Sequence, residues 1–402
     1  MASVYTMIAL AALLILWALV SARAARLSLG VPLVLMVAGA LIAGNDRDNA
    51  VVGEHAATVR HLLEATLAVV LFTDATEVPL RDLRRSGHLP ARLLLVAFPL
   101  TVAAGYVAGR LLFPAANGWL LAMIAAALAA CDSSLAGALV GDDRVPARLR
   151  TALNVESGFT DGLATPPVLL FLAAALAGGY DETSGSLLGR TLTGLLIAVP
   201  AGAAVGFATG KLLSITRTHG WSTPRSERLA YLSVAALAFG TAYLLHGNGL
   251  VAAFVAGLSV RAADPDLPED QTQLCHDVVL LLSAGVWFAF GSTLPHALRD
   301  LSWAVLAYAV LSLTLVRFLP VSLSLIGSQL PGRERVLLGW MGPSGLPSVI
   351  LGLIALEQLT GDAARLVAAL LAATVVLSVV LHGLSAKPMA DRLGAPHTKG
   401  RL

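Results

Sequence analysis

Two carboxylates stand five residues apart in Asn154-Val155-Glu156-Ser157-Gly158-Phe159-Thr160-Asp161-Gly162, inside an apolar stretch long enough to cross a bilayer. A charged side chain at that depth costs about 2.5–3.5 kcal/mol on insertion scales, so each acid must face a partner or a water-filled cavity. At the helical repeat Asp161 shares a face with Ser157 and Thr165, whereas Glu156 lines up with Thr160 on a face turned away. The two acids therefore serve different ends. A desolvated carboxylate is a group for which a proton and a small cation compete. If Asp161 must hold one or the other before its site reorients, the two species move in opposite directions with no further machinery. The plainer reading is a structural carboxylate hydrogen-bonded to nearby hydroxyls. Asp161 is thus the candidate ion- and proton-binding group, and Ser157, one turn earlier, is its natural hydroxyl ligand.

Asp132 lies at similar depth in an earlier run, within Cys131-Asp132-Ser133-Ser134 and with Gly137 beyond. Small polar residues can satisfy backbone groups locally, so a broken helix is expected there. Carboxylate, hydroxyl and freed carbonyl oxygens suit an alkali cation, which makes Asp132 a second candidate ligand; its alternative role is to cap a half-helix against the helix dipole. Arg317 falls deep in a later run and has the sign opposite to Glu156, so the economical reading is a buried core ion pair. Asp74 and Glu77 read as a solvated helix end, with a place in an inner funnel as the alternative. The nine histidines fall near span ends without metal-type spacing and read as interfacial. Cys131 and Cys275 form neither a disulfide framework nor a metal pair.

The elements that must position these groups follow from composition. With 402 residues, 57% hydrophobic and only 13% charged, the chain reads as an all-α polytopic membrane protein, a single membrane domain over 1–402 with no soluble partner domain. A net charge of +2 with scattered basic residues argues against nucleic acid. Apolar runs fall at 3–22, 28–44, 57–79, 89–112, 117–140, 146–177, 188–213, 227–246, 248–263, 274–293, 299–327, 334–357 and 363–386, which predicts about thirteen transmembrane helices. The first run is read as a span and not as a cleaved signal. Arg and Lys concentrate in alternate loops, including Arg81, Arg84, Arg85, Arg144 and the tail residues Lys399 and Arg401, which predicts an outside N-terminus and an inside C-terminus. The twelfth run carries Gly342-Pro343-Ser344-Gly345-Leu346-Pro347, where prolines remove donors and glycines relax the backbone. Broken helices seven runs apart cross in opposite directions, the pattern of inverted repeats around a midplane site, and this favours a transporter over a channel or receptor. Gly202, Gly206 and Gly210 recur every four residues as a stripe for close helix packing. Gly210-Lys211 lacks the rest of a phosphate-binding loop.

Four segments in order carry a family resemblance: Leu71-Phe72-Thr73-Asp74-Ala75; Cys131-Asp132 with Val145-Pro146-Ala147-Arg148-Leu149-Arg150; Glu156-Ser157-Gly158-Phe159-Thr160-Asp161-Gly162; and Arg317 followed by Gly339-Trp340-Met341-Gly342-Pro343-Ser344-Gly345. Over nearly its whole length the chain resembles the monovalent cation:proton antiporter-1 family, the NhaP-type sodium/proton exchangers. The resemblance implies a thirteen-helix homodimer in the cell (inner) membrane, with crossed discontinuous helices five and twelve. It implies core helices over about 88–177 and 299–386 and dimerisation helices over about 3–80 and 188–293. It also implies Asp161 as the ion- and proton-binding aspartate, Ser157 and Asp132 as its neighbours, a Glu156–Arg317 pair, and Gly342, Pro343, Ser344 and Gly345 at the helix crossing. The cargo implied is Na+ (or Li+ or K+) and H+, with no cofactor.

The chain departs from the family pattern at three points. Thr160-Asp161 stands where the family has Asn-Asp, Cys131-Asp132 where it has Thr-Asp, and Pro343-Ser344-Gly345 lacks the family's arginine. Thr160 still donates and accepts a hydrogen bond and Cys131 still offers a carbonyl, so both remain ion-site candidates. Loss of the arginine at Ser344 removes a positive charge from the crossing. The expected function is electroneutral exchange of a monovalent cation, sodium first, for a proton by alternating access around Asp161. The alternatives are potassium/proton exchange, or a channel or sensor on the same fold. An intramembrane aspartyl protease using Asp132 and Asp161 would carry Gly-x-Gly-Asp, which is absent before Asp161. The chain is therefore not read as an enzyme.

Overall fold

The computed structural model describes residues 2–26, 30–43, 56–78, 88–132, 145–177 and 182–394. These form α1 (Ala2–Arg26), α2 (Val31–Ala43), α3 (Ala56–Glu77), α4 (His88–Leu112), α5 (Gly118–Ala129), α6 (Ala147–Leu176) and α7 (Glu182–Thr218). They continue as α8 (Pro224–Leu244), α9 (Gly249–Ala263), α10 (Glu269–Ala297), α11 (Trp303–Ser324), α12 (Gly332–Trp340), α13 (Leu346–Gln358) and α14 (Gly361–Gly394). With α12 and α13 taken as halves of one interrupted span, the described helices correspond one to one with the expected runs. Ser133, Ser134 and Gly137 lie outside the described residues, as do Arg47, Arg81, Arg84, Arg85, Arg144, Lys399 and Arg401.

Six of these helices, α4, α6, α7, α10, α11 and α14, are long and apolar enough to cross a membrane. α5 ends and α13 begins at a break, and α9, 15 residues long, lies largely buried among its neighbours. The small residues of α7 explain that burial. Gly202, Gly206 and Gly210 lie directly against the α9 backbone at Ala252, Ala256 and Val260, so a side chain at any of them would push the two helices apart. On its other side α9 presents Gly257 to Phe72 and Ala75 of α3. The stripe is thus spent on packing within the chain.

α4, α5, α6 and α11 to α14 pack on one another, and α2, α3 and α7 to α10 pack on one another. The two groups meet where α6 lies against α3, α7 and α9, and where α10 lies against α13 and α14 and α3 against α13. α4 contains a widened π-turn over Leu93–Ala97, just before Pro99, and α11 kinks at Thr314, three residues before Arg317. Polar ties hold the first group together at one end. Arg148 at the start of α6 donates to both oxygens of the buried Glu334 at the start of α12 (2.7 Å each), and Arg92 of α4 donates to the Ile326 carbonyl (2.7 Å).

Candidate functional site

The site is built where α5 and the α12–α13 span are both unwound. α5 ends at Ala129, and Ala130 leads out in extended conformation to Cys131 and Asp132. Between Trp340 and Leu346 the second span is likewise non-helical. The two breaks are laced together by three hydrogen bonds. The Asp132 amide donates to the Pro343 carbonyl (2.8 Å), the Ser344 hydroxyl donates to the Leu128 carbonyl (2.7 Å), and the Leu346 amide donates to Asp132 Oδ2 (2.8 Å). Each bond satisfies a backbone group that the breaks would otherwise strand in a buried place. Asp132 therefore caps α13 and sets a negative charge on its positive end. Gly345 is required for this approach, because a methyl group there would fall on the Asp132 carboxylate.

α6 passes beside the crossing and sends its acids in two directions. Glu156 faces α11, where Arg317 Nη2 lies 2.6 Å from Oε1, and both side chains are buried. The guanidinium also fills the space left by Gly342, so the pair is pinned to the α12–α13 break. Thr160, fully buried, accepts the Cys131 amide at Oγ1 (3.2 Å) and donates to the Ser157 carbonyl (3.2 Å). The hydroxyl thus holds the unwound end of α5 against α6.

Asp161 faces the other way, toward α3, and its carboxyl group lies within hydrogen-bonding reach of Asp74. Asp161 is 2% exposed, and its Oδ1 has no hydrogen-bond partner among the described residues. Two facing carboxylates repel unless a proton or a cation stands between them. Reading Asp74 as a solvated helix end is therefore corrected: it turns inward and meets Asp161. The signal was Gly158, whose missing side chain lets the α3 backbone at Asp74 come close to α6. Glu77, one turn on, does reach the surface, 3.0 Å from His276 Nε2. His382 also departs from an interfacial place, since it is 1% exposed behind the α12–α13 break.

The structure brings Asp161 to Asp74, sets Asp132 at the head of α13 near both, and turns Thr160 to the unwound end of α5, with Glu156–Arg317 against the α12–α13 break and Ser157 buried one turn before Asp161. Among the described residues no three acidic, histidine or cysteine side chains come close enough to ligate one ion. A cation held here takes two carboxylates and completes its shell with hydroxyl, carbonyl or water oxygens, as hard cations do. Asp161 Oδ1, which has no hydrogen-bond partner among the described residues, fits that donor set.

The family model described as "Sodium/hydrogen exchanger, transmembrane" matches residues 9–392. The chain belongs to the sodium/hydrogen exchanger family. That family is one of transporters, and the chain is a multi-pass membrane protein. It is similar to the Na+/H+ antiporter NhaH of Halobacillus dabanensis, 26% identical over 262 residues that cover 62% of each chain. It is also similar to the K+/H+ antiporter NhaP of Alkalimonas amylolytica, 28% identical over 273 residues that cover 64% of this chain. The match spans 62% and 44% of these two relatives' own length. The sodium proton antiporter MjNhaP1 from Methanocaldococcus jannaschii, at pH 8, superposes with a TM-score of 0.76 at 20% identity, covering 97% of this chain and 99% of that chain. The chain therefore has the antiporter fold, in which the discontinuous helices cross within inverted repeats.

Proposed function

We propose that this exchanger carries a monovalent cation, sodium first, across the cell membrane in exchange for protons, with Asp161 as the group that holds either species. The observation that supports this most is the buried Asp161 carboxyl, whose Oδ1 has no hydrogen-bond partner among the described residues, set against Asp74 beside the helix crossing. Sodium bound to the two carboxylates and a single proton shared by them leave the same net charge. Reorientation is then permitted in both loaded states and disfavoured when the pair is empty, and the exchange is one for one and electroneutral.

In this reading the helices over 88–177 and 299–386 move as the transport core against a homodimer built on 3–80 and 188–293. Asp161 rides on the core and Asp74 on α3 of the other part, so their contact forms and breaks with the movement. Asp132 keeps the half-helix α13 capped, Ser157, Thr160 and the Cys131 carbonyl supply neutral oxygens, and Glu156–Arg317 keeps the crossing rigid. The basic loops place the N-terminus outside and the C-terminus inside. Potassium is the second reading, favoured by the similarity to a K+/H+ antiporter.

The test is proton movement in liposomes holding the purified protein, with an inside-acid gradient and pulses of sodium, lithium or potassium. One cation should collapse the gradient in the natural protein and none in Asp161→Asn. A current on a supported membrane would overturn the one-for-one stoichiometry. No proton movement with any cation would overturn the exchange itself.

A further inference from the structure

The crossing is held in front by Asp132 and Arg317, and something must also hold it from behind. α13 and α14 run antiparallel, with Gly352 of α13 against Leu371 of α14. The same register brings Trp340, the last residue of α12, beside His382 and Ser385 of α14. The His382 ring, 1% exposed, places Nε2 2.9 Å from the Trp340 carbonyl and Nδ1 3.0 Å from the Ser378 carbonyl. Ser378 Oγ stands 3.3 Å from Nδ1. A neutral ring has one proton for the two carbonyls: on Nε2 it donates to Trp340 while Nδ1 accepts from the Ser378 hydroxyl, and on Nδ1 it would donate to the Ser378 carbonyl of its own helix. Trp340 is fastened a second time, because its Nε1 donates to Ser385 Oγ (2.8 Å), and its ring stacks at a tilt on His382 with centroids 5.2 Å apart.

The Trp340 carbonyl is where α12 stops and the unwound segment begins. Two residues later Gly342 meets Arg317, and five residues later Gly345 meets Asp132. We propose that His382 is a positioning residue for exchange: by donating Nε2–H to the Trp340 carbonyl it sets where the unwound segment leaves α12, and so the register in which Gly342 meets Arg317 and Gly345 meets Asp132. The ring touches no cargo and acts through the segment 341–345. This rests on the reading of the crossing as the exchange site.

The experiment compares full-length His382→Leu, which has no donor, with His382→Gln, whose side-chain amide keeps one. Cation half-saturation is measured in liposomes, and backbone amide exchange is followed over 341–347 with α7 and α9 as internal references. His382→Leu should raise half-saturation and amide exchange over 341–347 about tenfold each, as loss of one buried hydrogen bond implies. The references should not change, and His382→Gln should restore both quantities. Natural behaviour in His382→Leu overturns the proposal. So does equal impairment in the glutamine variant, or faster exchange spread over α7 and α9. If the leucine variant does not fold, His382→Asn, polar but one bond shorter, is compared with glutamine on the same outcomes. If the natural protein moves no protons with any cation, the exchange reading falls, while amide exchange still decides whether His382 holds Trp340.

Discussion

The Glu156–Arg317 pair offers the most direct test of how the core is held. The charged atoms are 2.6 Å apart, and the side chains are 2% and 6% exposed. Glu156 Oε2 and Arg317 Nε have no hydrogen-bond partner among the described residues, so neither side chain is fully satisfied by the pair. At a charge separation near 4 Å and an effective dielectric of about 20, the mutual attraction is about 4 kcal/mol. Removing one partner strands the other, and measured costs for such losses are roughly 3–5 kcal/mol. Arg317→Leu should therefore lower the apparent melting midpoint of the detergent-solubilised protein by roughly 5–10 °C. Adding Glu156→Gln to that variant removes the stranded carboxylate and should recover at least half of the loss. The assay is a double-mutant cycle followed by fluorescence-detected size exclusion after heating, with transport measured on the same samples. An Arg317→Leu variant as stable as the natural protein, or a double variant worse than either single one, would refute the pairing argument.

Other substitutions probe the rest of the site and the scaffold. Asp74→Asn removes one of two facing carboxylates and should raise the sodium half-saturation at least tenfold in liposome assays, roughly 1.4 kcal/mol; unchanged half-saturation would make Asp74 a bystander. Gly345→Ala places a methyl group on the Asp132 carboxylate and displaces it from the Leu346 amide. Its initial exchange rate should fall sharply while membrane insertion, scored by glycerol-gradient profile, is retained. Glu334 is buried against two Arg148 donor contacts, so Arg148→Ala should destabilise by about 1–3 kcal/mol in a denaturant titration, with sodium half-saturation unmoved. Gly206→Val drives a side chain into the α9 backbone at Ala256, and overpacking of this kind costs about 1–3 kcal/mol. Its melting midpoint should drop without any change in cation selectivity.

The sequence by itself determined the helical membrane architecture, because lipid admits only spans that satisfy their own backbone, and such spans announce themselves as long apolar runs. It also singled out the places where helices break, since Cys131-Asp132-Ser133-Ser134 and Gly342-Pro343-Ser344-Gly345 are locally incompatible with a continuous apolar helix. The separation of roles within α6 was legible as well: the helical repeat alone turns Glu156 and Asp161 to different faces. What each face meets was decided by tertiary structure. Nothing in Leu71-Phe72-Thr73-Asp74 says that this acid turns inward, because a carboxylate near a helix end is equally at home in water. Only the close approach of α3 to α6 at Gly158 brings Asp74 to Asp161. His382 is the same case, with a polar residue 21 positions into α14 whose meaning depends on a carbonyl 42 residues away on another helix. Periodicity is a property of one element, and the partner of a buried polar group belongs to the packing between elements.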